Sequence, residues 1–211
     1  RMPYPDYPAT TTFFIYLASK LFHGISRLTA ILPTAIAGAL TMAMTYRIGA
    51  LQNKRWGLYA VFFLLLTFFF LKNARSISLD MMIAMITTGC FYLIYSADIK
   101  DQHARTKWVY LLLLLGFTIR GPLGFIIPAG VVLIYYFQGA DFKRFFFVGA
   151  ATLLLLALAL LLLAYCADAT GGEAFLHHVV EAEALGRFAS HHQKTSIYFY
   201  LIQGIRDYAL S

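Results

Sequence analysis

Apolar residues in this chain fall in long, nearly unbroken runs, and polar residues collect in the short gaps between them. The runs cover residues 26–46, 56–74, 79–96, 107–119, 122–137, 145–166 and 197–210. A helix crossing a bilayer needs about 20 mostly apolar residues, and most of these runs approach that length. Period-2 alternation is absent, which excludes a membrane β-barrel. The run at 107–119 is short, and spans only with Thr106 and Arg120 at the two interfaces. The pattern predicts an all-α, polytopic integral membrane protein with about seven membrane helices.

Residues 8–22 follow a different rhythm. Pro8 suits the first turn of a helix, after which Phe13, Phe14, Leu17 and Leu21 share one face, with Thr10 and Lys20 off it. About 15 residues is too short to span comfortably. An amphipathic helix lying on the membrane surface is expected, the alternative being a membrane helix merged with the next run. The chain then divides into an extracytoplasmic segment at 1–25, membrane helices over 26–166, a large outer loop at 167–196 and the start of another helix at 197–211.

Composition agrees with the pattern. Hydrophobic residues make up 60% of the chain and charged residues only 13%, with a mean hydropathy of +0.69. Soluble domains carry about a quarter charged residues, so the apolar surface here must be buried in lipid. The chain begins at Arg1 rather than methionine and its last apolar run is cut short, so a fragment of a longer protein is expected. Cys90 and Cys166 both sit in apolar runs and read as small core residues, not as a disulfide or zinc framework.

A net charge of +7 would suit a nucleic-acid partner if it formed a patch. Instead the cations punctuate the apolar runs: Arg47, Lys54 and Arg55, then Lys100, Arg105 and Lys107, then Lys143 and Arg144. That is the signature of membrane topology, and nucleic-acid binding is set aside. The positive-inside rule places these gaps in the cytoplasm. The alternate gaps, near 72–78, 119–122 and 167–196, then face the exterior together with residues 1–25.

Candidate chemistry gathers on that outer side. The 167–196 stretch holds Glu173, Glu181, Glu183, His177, His178, His191, His192, Arg187 and Lys194. His177 and Glu181 share a face if the stretch is helical, which suits a metal or a hydrogen-bonded pair; a plain solvated loop is the alternative. Asp80 lies at the outer end of a membrane helix, where an ionisable group points to function or simply favours the helix N-terminus. Arg120-Gly121-Pro122 reads as a tight outer turn. Its arginine either grips a phosphate in a bidentate fork or snorkels as an interface anchor. Asp6 stands in Tyr4-Pro5-Asp6-Tyr7-Pro8, which two prolines hold extended ahead of the surface helix.

Taken in order, these pieces resemble the lipid-linked-sugar glycosyltransferases of the GT-C fold, in the branch of aminoarabinose transferases and protein O-mannosyltransferases. Tyr4-Pro5-Asp6-Tyr7-Pro8 is similar to the family's aromatic-x-Glu-Lys-Pro-Pro segment. Phe22-His23-Gly24 and Arg27 resemble its turn into the next helix, and Ala74-Arg75 with Leu79-Asp80-Met81 its Ala-Arg…Leu-Asp-Met segment. Arg120-Gly121-Pro122 with Pro128 matches a Lys-Gly-Pro turn and proline-bearing helix. Glu183 to Phe188, His192 and Tyr198-Phe199-Tyr200 match the large outer loop. Asp6, Tyr7, Arg120 and Ala184 replace the family's glutamate, lysine, lysine, and asparagine or histidine.

The resemblance implies transfer of a sugar from a polyprenyl-phosphate donor to a lipid or protein acceptor, outside a bacterial inner membrane. The family's main catalytic carboxylate lies in an Asp-Glu pair after the first membrane helix, and would precede Arg1. Within this chain the resemblance implies catalytic roles for Asp6 and Asp80, and donor-phosphate contacts from Arg75, Arg120 and Arg187. It also implies a divalent metal held by Asp6 with Glu183 or His192. Membrane lipids are the remaining expected partners. A transporter or lipid flippase shares the composition, but transporters place polar groups near the bilayer midplane, whereas these gather at one rim.

Overall fold

In the computed structural model, residues 9–180 are described, with side chains for 10–102 and 104–166. Seven helices follow in order: α1 (Ala9–Leu21), α2 (Arg27–Ala50), α3 (Lys54–Leu66), α4 (Phe68–Ala74), α5 (Leu79–Ile99), α6 (Lys107–Gln138) and α7 (Phe142–Val180), with a 3-10 turn at His103–Thr106 before α6. There is no strand among the described residues. Helix starts have local causes. The Ser26 hydroxyl accepts the Thr29 amide at 3.2 Å, while the Thr29 hydroxyl accepts the Ser26 amide at 2.8 Å, a reciprocal cap on α2. Asn53 and Ser78 cap α3 and α5 in the same sense. Within the apolar helices, Thr41, Thr45, Thr87 and Thr88 each donate to the carbonyl four residues back. Their hydroxyls therefore need no partner from the bilayer.

α5 is the centre. Ile86, Cys90, Ile94, Ser96 and Ala97 along it are sealed from the surface, and it packs between α2 and α6. α7 is the outlying helix. Only 11% of its apolar window is buried, against 44% for α5, and Leu153, Leu154 and Leu161 face outward. In water such a face would be untenable; in lipid it is the expected surface.

α6 contains the decisive local feature. Arg120 (φ −138°, ψ 20°) and Gly121 (φ 62°, ψ −148°) leave helical geometry, and the positive φ at Gly121 is one that a side chain would strain. Beyond the break the chain doubles back. Gly116 and Gly124 approach so closely that a Cβ on either would overlap the other's carbonyl oxygen. Lys107 and Tyr110 from the first half line one cavity with Tyr136 from the second and Arg144 beyond it, so both ends of α6 lie at the same end of the molecule.

The expected number of membrane helices needs correction. Four helices among the described residues are long and apolar enough to cross a membrane, or five if the pair α3–α4, bent by 77°, counts as one; the expected seven is not reached. The runs at 107–119 and 122–137 form a single folded-back unit, each half roughly 20–25 Å long at 1.5 Å per residue, short of a ~30 Å hydrocarbon core. The run at 197–210 lies outside the described residues.

The surface helix is separate from α2, as its short run implies, but its packed face is narrower than expected. Phe14 and Ala18 turn toward the bundle, while Phe13, Leu17 and Leu21 are more than half exposed, Leu17 and Leu21 at the rim of a cavity. α7 runs to Val180, so the first part of the 167–196 stretch is helical, as the pairing of His177 with Glu181 on one face would require. Nothing from Ala167 onward forces a break: Gly171-Gly172 weakens helix propensity without forbidding it.

Candidate functional site

The two ends of α5 sit at opposite ends of the bundle, and the sequence-predicted residues gather at the first. Asn73, at the end of α4, accepts the Ser78 hydroxyl at 3.2 Å on its side-chain oxygen, and its carbonyl accepts the Ser76 hydroxyl at 3.3 Å. These bonds shape the loop that presents Arg75, which is exposed, and fix the start of α5. Asp80 then lies in the first turn of α5, where the helix dipole favours a carboxylate.

Its partner is Arg120. The guanidinium at the α6 break forms an ion pair with the Asp80 carboxylate. Asp80 keeps 61% of its side chain exposed and Arg120 keeps 31%. A residue forty positions away thus meets Asp80, because the α6 fold-back delivers Arg120 to the head of α5.

Beside the pair is an apolar cavity of about 320 Å³ between α1, α2, α5 and α6. Ile119 and Met82, which follow closely on the two partners in the chain or precede them, are in its wall, with Phe14, Pro33, Ile36 and Met85. The charge pair and an almost wholly apolar chamber are thus neighbours. Such an arrangement suits an amphiphile, with an anion at the arginine and a hydrocarbon chain in the chamber.

Of the other expected site residues, Asp6, Glu183, Arg187 and His192 lie outside the described residues, as do the side chains of Glu173, His177 and His178. Among the described residues no group of three or more histidine, cysteine, aspartate or glutamate side chains is placed to hold a metal ion.

A second polar cluster escaped the sequence reading. Asp98, at the far end of α5, accepts the Tyr135 hydroxyl at 2.8 Å and a bond from Arg144 at 3.0 Å. Arg144 also pairs with Asp141 at 3.1 Å. An ionisable residue near the end of an apolar run was a visible signal at Asp98, as it was at Asp80. Arg144 had been read only as a topology marker. The glycines 116 and 124, set around the turn, were the missed sign of close backbone approach.

Comparison with known proteins agrees with the arrangement. A family profile described as dolichyl-phosphate-mannose-protein mannosyltransferase matches residues 6–167. An uncharacterized protein of Aquifex aeolicus (strain VF5) is 28% identical over 130 residues, which are 61% of this chain and 26% of that protein. The chain thus spans about a quarter of the length of that curated relative. No solved structure matches it. With the family profile covering well over half of the chain, from ahead of α1 to the membrane-spanning part of α7, this chain belongs to the dolichyl-phosphate-mannose-protein mannosyltransferase family.

Proposed function

We propose that this chain is part of a membrane glycosyltransferase that moves a sugar from a polyprenyl-phosphate donor to a lipid or protein acceptor on the extracytoplasmic face. One observation carries the reading: the Asp80–Arg120 pair stands beside an apolar cavity of about 320 Å³. A polyprenyl phosphate needs both. Its phosphate gains negative charge as the sugar departs, and a guanidinium in a partly desolvated site stabilises that charge most in the transition state. Its tail needs hydrocarbon walls. Arg75 on the neighbouring loop, and Arg187, are the further phosphate ligands, since a planar fork matches phosphate oxygens.

Asp80 serves Arg120 by holding its fork in place. Asp6 is the acceptor-side carboxylate, placed just ahead of α1. The main base that takes the acceptor proton belongs to the upstream segment that the family resemblance implies. Asp6, Glu183 and His192 together make an oxygen-rich donor set that suits a hard divalent cation, whose contribution would be to neutralise phosphate charge.

The reading is tested with the full-length protein reconstituted in lipid and supplied with polyprenyl-phosphate sugar. Met85→Trp fills the cavity wall without touching the ion pair. The expected outcome is a KM raised about tenfold for a long-chain donor, with little change for a donor carrying only a short prenyl chain, in keeping with roughly 0.8 kcal/mol per buried methylene. Equal effects on both donors would remove the cavity from donor binding. Transbilayer movement of the donor with no sugar transfer would replace the enzyme with a flippase.

A further inference from the structure

At the basic end of the bundle, away from the proposed active site, lies a second cavity of about 300 Å³, between the two halves of α6 and the start of α7. Its wall is two-sided in chemistry. Ile94, Val109 and Val132 form a hydrocarbon surface, while Lys107, Tyr110, Tyr136 and Arg144 bring an ammonium, two phenols and a guanidinium to it. Arg144 is fixed by Asp98 at 3.0 Å and Asp141 at 3.1 Å. Those carboxylates largely offset its charge and hold it still. Lys107 is exposed, and none of the described ion pairs involves it. Trp108 beside it is 53% exposed, as an aromatic anchor at a headgroup boundary would be.

From this placement we infer that the cavity is a binding site for the headgroup of an anionic phospholipid, with the Lys107 ammonium on the phosphate and an acyl chain along the Ile94–Val109–Val132 wall. Charge complementarity selects the occupant. A zwitterionic headgroup brings its own cation to a cavity that already presents Lys107 and Arg144, whereas an anionic one brings only the charge that Lys107 complements. A soluble anion would leave the apolar wall unfilled. Basic pockets between membrane helices are a recurrent way of holding anionic lipid, worth about 1 kcal/mol per cation near the surface. The seat would also brace the open ends of the folded-back α6 against α7. It does not depend on the glycosyltransferase reading.

The experiment uses full-length protein in neutral detergent, with lipid binding followed by native mass spectrometry and thermal unfolding. Phosphatidylglycerol should bind and stabilise, and phosphatidylcholine with the same acyl chains should do so several-fold less. Lys107→Gln should weaken phosphatidylglycerol binding about fivefold, Lys107→Arg should restore it, and Lys54→Gln, at the same end but outside the cavity, should leave it unchanged. Equal binding of the two lipids overturns the proposal. So does an equal loss from Lys107→Gln and Lys54→Gln, which would mean diffuse surface attraction. Stabilisation by inorganic phosphate matching that of the lipid, and dependent on Lys107, would overturn the lipid assignment.

Discussion

α5 carries an aspartate near each end, and each meets an arginine delivered by α6 or the segment after it: Asp80 with Arg120, Asp98 with Arg144. The two pairs share chemistry, and each lies at or next to a cavity with hydrocarbon walls, but they differ in burial and in their carboxylate neighbours. Asp98 keeps only 29% of its side chain exposed, accepts Tyr135 as well, and holds an arginine that Asp141 grips from the other side. Its surroundings are a set of charge-assisted bonds joining α5, α6 and α7. Asp80 keeps 61% exposed, and the cavity beside its arginine is almost wholly apolar. A cluster whose charges answer one another internally ties helices together. A pair whose carboxylate stays largely exposed ties helices less firmly.

The sharpest way to break this contrast is Arg120→Gln in the full-length protein. Transfer from a limiting polyprenyl donor should fall by about 30- to 1,000-fold, corresponding to roughly 2–4 kcal/mol of lost transition-state stabilisation, with only a small loss of thermal stability because the Asp80 partner is largely exposed. The charge exchange Asp80→Arg with Arg120→Asp decides the role. A purely structural pair regains activity in the double variant, while a phosphate-binding arginine at the α6 break does not. Restored turnover would make the two ends of α5 alike.

The opposite behaviour is expected at the far end. Asp98→Ala removes the acceptor of both Tyr135 and Arg144, and should cost about 2 kcal/mol of stability against thermal unfolding. The kcat of the surviving folded protein should be close to that of the parent. A loss of turnover larger than the loss of folded protein would show that the lock reaches the active site. Smaller still is Tyr135→Phe, which deletes one hydroxyl donor to Asp98 and leaves the ring stacked edge-on against Phe91, at 5.8 Å between centroids. About 1 kcal/mol is expected, read by the same unfolding measurement. A null effect would assign the tie to Arg144 alone.

Much of this architecture is legible in the order of residues. The apolar runs locate α2, α5 and α7, because a lipid environment makes apolar length the dominant requirement. Ser26, Asn53 and Ser78 mark helix starts through local hydrogen bonding. Arg120-Gly121-Pro122 marks a break, since Gly121 takes a backbone region closed to most side chains. Asp80 and Arg120 were both recognisable as ionisable residues at the margin of apolar runs.

Their pairing was not. A run of apolar residues states that a helix will be buried in lipid or protein, but not which helix lies beside it. The Gly116–Gly124 contact brings the two halves of α6 together, and only with that approach does Arg120 come to Asp80 while Lys107 comes to Arg144. The bend of α3 against α4 at Thr67 and the turning of Phe13 and Leu17 away from the bundle depend in the same way on neighbours distant in sequence. What the sequence determines alone is what local physics can settle: burial in lipid, helix starts, and the place where the backbone must break. Which charges meet, and where cavities open between helices, depends on packing between segments tens of residues apart, and the tertiary structure alone decides it.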